Sequence, residues 1–187
     1  EDPVITVLRL LAQPERWQET PLIAVPFRPL REVLGMDPKA SRISYASLVS
    51  TRKLMRMLPA IVEKQQREEK FSMLEQETMD VYERFVALAA LFQQRLALVP
   101  PSDSTQTSWL PIQKPTGYPP NQQETIQHAW AALLTAARGS EPRHLETAAR
   151  QLVEVLHATN PAAQPAPWRL RLEVLYNHAA PLRLARF

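Results

Sequence analysis

The chain has 187 residues, 45% apolar and 22% charged, enough for one ordinary core or two small ones without a disulfide or metal staple. Eighteen prolines against three glycines disfavour tight hairpins and phosphate-cradling loops, and zero cysteines exclude structural disulfides, thiolate catalysis and cysteine-ligated metal. The net charge of +3 is interspersed, as in Glu63-Lys64 and Arg67-Glu68-Glu69-Lys70, which is the pattern of a solvated helix face and argues against a nucleic-acid partner.

Asp2 is placed to cap a first helix over Pro3 to Ala12, with Pro3 at its first position and Val4, Val7, Leu8 and Leu11 on one face. Glu15 to Gln18 can add a short turn that presents Trp17. Leu22 to Val25 admits a short strand, and Leu30 to Leu34 a helical turn stopped by Gly35.

Ser44 then caps a long helix, about 44–70, in which Leu48, Met55 and Val62 recur every seven residues. Pro59 falls inside it and either kinks one helix or starts another, because proline lacks the amide an internal turn requires. Ser72 and Glu75 form a capping box that opens the longest periodic segment, about 73–98, carrying Leu74, Val81 and Leu88 with Phe85, Phe92 and Val99. The two segments are expected to fold as a long antiparallel hairpin.

Residues 100–120 hold six prolines, one glycine and little periodicity, which describes an extended connector, partly pinned through Trp109, Leu110, Ile112 and Tyr118. A helix over about 122–138 carries Ile126, Ala129, Trp130, Leu133, Leu134 and Ala137 on one stripe. Gly139 ends it, Ser140 caps the next, and Leu145, Ala148, Ala149, Leu152, Val153 and Leu156 repeat the pattern. After the proline-rich break at 160–167, a last helix from about Trp168 has Leu172, Leu175, Ala179 and Leu182 inward. The organisation expected is an all-α bundle: a helical region at 1–99, the connector at 100–120 and a three-helix region at 121–187, within one compact domain.

The chemistry is sparse. His128, His144, His157 and His178 form no local ligand pair, and no GxSxG elbow, Walker loop or dinucleotide fingerprint occurs. Glu63, Glu68, Glu69, Glu75, Glu77, Asp80 and Glu83 offer clustered carboxylates, the basis for a metal-dependent helical enzyme, but none has a histidine three residues later as a di-iron bundle requires. Catalysis by this chain is therefore not expected, and no metal ligand or bound cofactor is named. The aromatic residues point instead to interaction, with Trp17, Trp109, Tyr118 and Trp168 as interface candidates and Trp130 as core.

No stretch approaches the roughly 20 apolar residues of a membrane span; the longest run is Phe85 to Phe92. Glu1-Asp2-Pro3 opens without Met or a basic segment, which is expected of a trimmed fragment and not of a signal peptide. The run Glu173-Val174-Leu175-Tyr176-Asn177-His178-Ala179-Ala180-Pro181-Leu182 through Ala185 resembles an E-x-x-Y-N-x-x-x-P-F-x-x-A segment of bacterial cytochrome c biogenesis proteins of the fused ResB and CcsA type, with Leu182 in place of the usual Phe. In that family the segment precedes a membrane helix, so ending at Phe187 fits an extracytoplasmic domain cut away from its span. Val4 to Leu11 with Trp17, Leu30 to Gly35, and Ser44 to Leu48 are similar to the family more diffusely.

The resemblance implies an accessory or docking domain on the periplasmic side of a bacterial inner membrane. Its partners would be the membrane-embedded remainder of the same protein, apocytochrome c and, near the basic end at Arg183 and Arg186, the bilayer surface. Tyr176, Asn177 and His178 join the interface candidates on this ground. Haem would belong to the intact protein, because the family's W-W-D segment is missing here and no histidine matches a ligand position. The alternative to this reading is a helical scaffold or adaptor that binds a protein partner.

Overall fold

The computed structural model describes residues 2–103, 108–139 and 141–161; the helix expected from Trp168 lies outside them, as do Trp168, Tyr176, Asn177, His178, Arg183 and Arg186. Among the described residues, eight helices and two small antiparallel ribbons make an all-α bundle. Helix α1 spans Pro3–Ala12, and Asp2 caps it by accepting the Val4 N–H at 2.8 Å. One turn, α2 (Pro14–Trp17), follows. Strand β1 (Ile23–Ala24) pairs with β2 (Arg42–Ile43), and between them α3 (Arg28–Leu34) stops at Gly35. Gly35 is left-handed at φ 75°, a conformation that favours glycine at this helix end; a Cβ there would also displace the mobile end of the Lys53 side chain.

The long helix expected after Ser44 is two helices, and the break is not at Pro59. Helix α4 (Tyr45–Thr51), capped by Ser44 Oγ on the Ser47 N–H, ends at Arg52 with φ 53°; α5 (Lys53–Gln66) then continues through Pro59 as one helix. Ser50 and Thr51 turn their hydroxyls back onto the Ser47 and Leu48 carbonyls, which competes with helix continuation. The left-handed residue also resets the phase. The buried positions step from Leu48 to Leu54 and Ile61, while Val62 of the expected heptad is 43% exposed.

Helix α6 (Met73–Phe92) begins at the expected capping box, with the Glu75 N–H donating to Ser72 Oγ and the Ser72 N–H to Glu75 Oε2. It stops short of 98. Gln94 takes φ 52°, the Arg95 N–H reaches back to Ala90 O at 2.8 Å, and the chain continues as β3 (Ala97–Val99), paired with β4 (Leu110–Pro111). The left-handed Gln94 turns the chain out of the helix, and Val99, the residue before Pro100, takes the extended backbone that precedes a proline.

Helix α7 (Pro120–Arg138) buries all six residues of its expected stripe. Helix α8 (Pro142–Thr159) buries Ala148 and Leu152, leaves Val153 exposed, and has Glu141 at its cap position without a side-chain capping bond. These two helices share the most extensive packing between any two described elements.

Buried side chains gather in two clusters. The N-terminal one unites Leu10, Val25, Leu30, Leu48, Leu54 and Val81, with Tyr45 stacked on Phe85 at 4.8 Å and edge-on to Phe92 at 5.2 Å. The C-terminal one unites Leu11, Ala12, Val99, Ile112 and Tyr118 with the inner faces of α7 and α8. Helix α1 serves both, because consecutive residues on a helix diverge by about 100° and its last turn lies between the two.

Candidate partner-binding site

The connector is fixed by what it buries. Val99, Pro100, Ile112 and Tyr118 pack inward, and the Tyr118 hydroxyl donates to Pro100 O at 2.8 Å. Burial pushes the Tyr118 phenol above its ordinary value, partly offset by a hydrogen bond with Asn160. Further ties follow. The Ile112 N–H donates to Leu96 O, Gln113 Nε2 to Gln94 Oε1, and Gln127 Nε2 on α7 to Gln113 O at 2.9 Å.

On this anchored ribbon Trp109 stands 44% exposed and Leu98 36% exposed, each next in sequence to a paired residue, Leu110 and Val99. The interface candidates are thus placed differently. Trp109 faces solvent, Tyr118 is turned inward to hold the connector, and Trp17 is half-buried at the end of α2 against the N-terminal cluster. Trp130 is buried, as its stripe position requires, with its indole N–H on Gln94 Oε1.

A second concavity lies where α1, α2 and α7 all end. Arg9, Arg16 and Arg138, each in the last turn of its helix, line a cleft of about 390 Å³ with Gln13, Trp17 and Thr20. Helix C-termini leave carbonyls unpaired and carry partial negative charge, so basic last-turn residues suit them. Arg138 Nε donates to Ala12 O at 2.9 Å, Gln94 Nε2 to Leu11 O, and Arg16 Nη1 to Gln13 Oε1 at 2.8 Å. Each arginine is readable in the sequence as a helix end. Their meeting is not, since Arg138 joins a carbonyl 126 residues away.

The carboxylates considered for catalysis are spread along α5, α6 and the turn between. Glu63 and Glu69 pair with Arg67, Gln76 donates to Asp80, and Glu75 pairs with Lys64 at 2.7 Å. The Lys64 contact, with the Ser72 amide and hydroxyl, holds the Glu75 carboxyl down at about 2, while the same contact raises Lys64. Glu77 is half-buried, with Oε2 lacking a hydrogen-bond partner. No group of three or more His, Asp or Glu among the described residues is placed to hold a metal ion, and no described helix is long and apolar enough to cross a membrane. Comparison with known proteins returned no match to a family model and none to a curated protein.

Proposed function

We propose that this chain is a helical adaptor that binds a protein partner through the β3–β4 ribbon, with Trp109 as the anchor. The observation that carries this is the pairing of an exposed tryptophan with an immobilised base: Trp109 and Leu98 are exposed while Val99, Pro100 and Ile112 beneath them are fully buried. Rigid presentation lowers the entropy an interface must lose on binding, and tryptophan is the residue type most enriched among interface hot spots. A photo-crosslinking side chain at position 109 in the native host, with Glu146 as the control position, identifies the partner. Titration of the purified partner should then show Trp109→Ala weakening binding by about tenfold or more, as truncating a hot spot does. Equal affinity for both forms would remove the reading.

A narrower form rests on the Glu173 to Ala185 segment, with its Tyr176-Asn177 and Pro181. On that reading the adaptor is an extracytoplasmic accessory domain in cytochrome c maturation, and its partners are the membrane-embedded remainder of the protein and apocytochrome c. Two results would support it: a hydrophobic span directly after Phe187 in the parent gene product, and calorimetric binding of an apocytochrome peptide by the membrane-attached form. A parent protein without membrane spans would end the narrower form and leave the adaptor reading intact.

A further inference from the structure

We infer that Tyr118 and Asn160 are positioning residues for the ribbon, a latch that ties its Trp109 end to the C-terminal end of α8, so that the place of that helix end regulates how Trp109 is presented to a partner. The inference rests on the adaptor reading for its functional meaning, and on hydrogen bonds and strand register for its geometry.

The two ends of the ribbon are held by different means. At the end near α6 the backbone supplies a donor, the Ile112 N–H on Leu96 O. At the other end the chain leaves Val99 for Pro100 and Pro101, both buried and neither with an amide hydrogen to offer. A buried carbonyl needs a donor, and here each donor is a side chain far along the sequence. The Tyr118 hydroxyl donates to Pro100 O at 2.8 Å across 18 residues, and Asn160 Nδ2 to Pro101 O at 2.7 Å across 59. Asn160 also shares a hydrogen bond with the Tyr118 phenol, which joins the two ties into one network.

Register places this network at Trp109. Val99 pairs with Leu110, so Pro100 and Trp109 are the next residues outward on the two strands, at the same end of the ribbon. Asn160 is the C-cap residue of α8, directly after Thr159. A shift of that helix end therefore pulls on Pro101, and with it on the strand end beside Trp109. Burial keeps the Tyr118 phenol protonated, as a donor to Pro100 O has to be.

The test uses the full chain grown with fluorotryptophan, its fluorine NMR lines assigned through Trp17→Phe and Trp109→Phe. Tyr118→Phe keeps the ring and removes only the hydroxyl. Asn160→Asp keeps the shape and replaces the donor amide with a carboxylate that only accepts. In each variant the Trp109 line should shift and narrow as the indole gains motion, while the line of Trp17, in the other cluster, stays in place. Where Tyr118→Phe fails to fold, Asn160→Asp carries the test, since Asn160 is only half-buried. An unaltered Trp109 line in both variants, or an equal change at Trp17, would overturn the latch. Against the partner identified by crosslinking, either variant should bind about two- to tenfold more weakly, because a side chain no longer held must be ordered on binding. Unchanged affinity in variants whose Trp109 line has moved would overturn the regulation. Undiminished affinity in Trp109→Ala would instead remove the adaptor reading and leave the fluorine result standing, so the two failures are distinguishable.

Discussion

The two helix pairs of this molecule, α5–α6 and α7–α8, are built on opposite principles. Helices α7 and α8 pack against each other more extensively than any other two described elements, and Ala129, Ala137 and Ala148 lie with Leu133, Leu134 and Leu152 in one buried cluster, small residues of the kind that let helix backbones approach closely. Helices α5 and α6 are tied near their linked ends by Lys64 and Glu75, and Val81 and Leu88 of α6 share a core with α3, α4 and β1 that includes two aromatic ring contacts. The first pair is a close seam. The second is part of the frame of a broader core filled by large side chains.

The largest effect separating them should come from removing volume. Leu48 is fully buried in the broad core, and Leu48→Ala should cost about 2–5 kcal/mol, read from urea midpoints, because several elements would have to move to close the cavity. A loss below about 1 kcal/mol would mean that this core collapses as easily as a two-helix seam. The reverse change probes the seam. Ala148→Leu should cost about 1–3 kcal/mol by overpacking α7 against α8, whereas Ala60→Leu on the exposed side of α5 should stay within about 0.5 kcal/mol.

The linked end of α5–α6 makes a pH prediction through its capping carboxylate, whereas Glu141 at the cap position of α8 makes no capping bond and pairs with His144 instead. Glu75 titrates at about 2 in the fold against an ordinary 4.5, so the folded state favours its ionised form. Its contribution is complete above pH 4.5, shrinks as pH falls, and is gone below about 2. Glu75→Gln should therefore lower the urea midpoint at neutral pH and match the wild type in strong acid. Ser72→Ala should cost about 1 kcal/mol at neutral pH by losing the cap. Parallel midpoints across the whole acid range would show that the carboxylate does not carry the effect.

The same contrast explains what could be read from the sequence. The α7 stripe matched position by position because a two-helix seam is governed by one period, and every inward residue from Ile126 to Ala137 obeys it. The caps at Asp2, Ser44 and Ser72 and the stop at Gly35 were equally legible, being contacts within a few residues. The break at Arg52 and the end at Phe92 were not. Both turn on left-handed residues that are neither glycine nor asparagine, which carry no propensity signal. For the candidate sites, the sequence offered Trp109 both as a pin of the connector and as an interface residue, and only the packing shows that Ile112 and Tyr118 do the pinning while Trp109 stays exposed; the arginine cleft depends on α1 meeting α7 across the chain, which periodicity does not encode.

Arg52 gives the smallest predicted effect and tests where the α4–α5 break originates. A residue with a Cβ at φ 53° sits in a region that costs about 1 kcal/mol or more, and glycine occupies it without that cost. Glycine loses more entropy on folding, so the net gain for Arg52→Gly should be about 0.5–1 kcal/mol in unfolding free energy. If the buried step from Leu48 to Leu54 dictates the break, the variant gains stability, because the turn is kept and its strain relieved. If Arg52 instead defines the break through its own side chain, the same variant loses stability. The sign of one urea midpoint therefore decides whether packing on both sides, or the residue at the joint, splits the helix that periodicity alone would have continued.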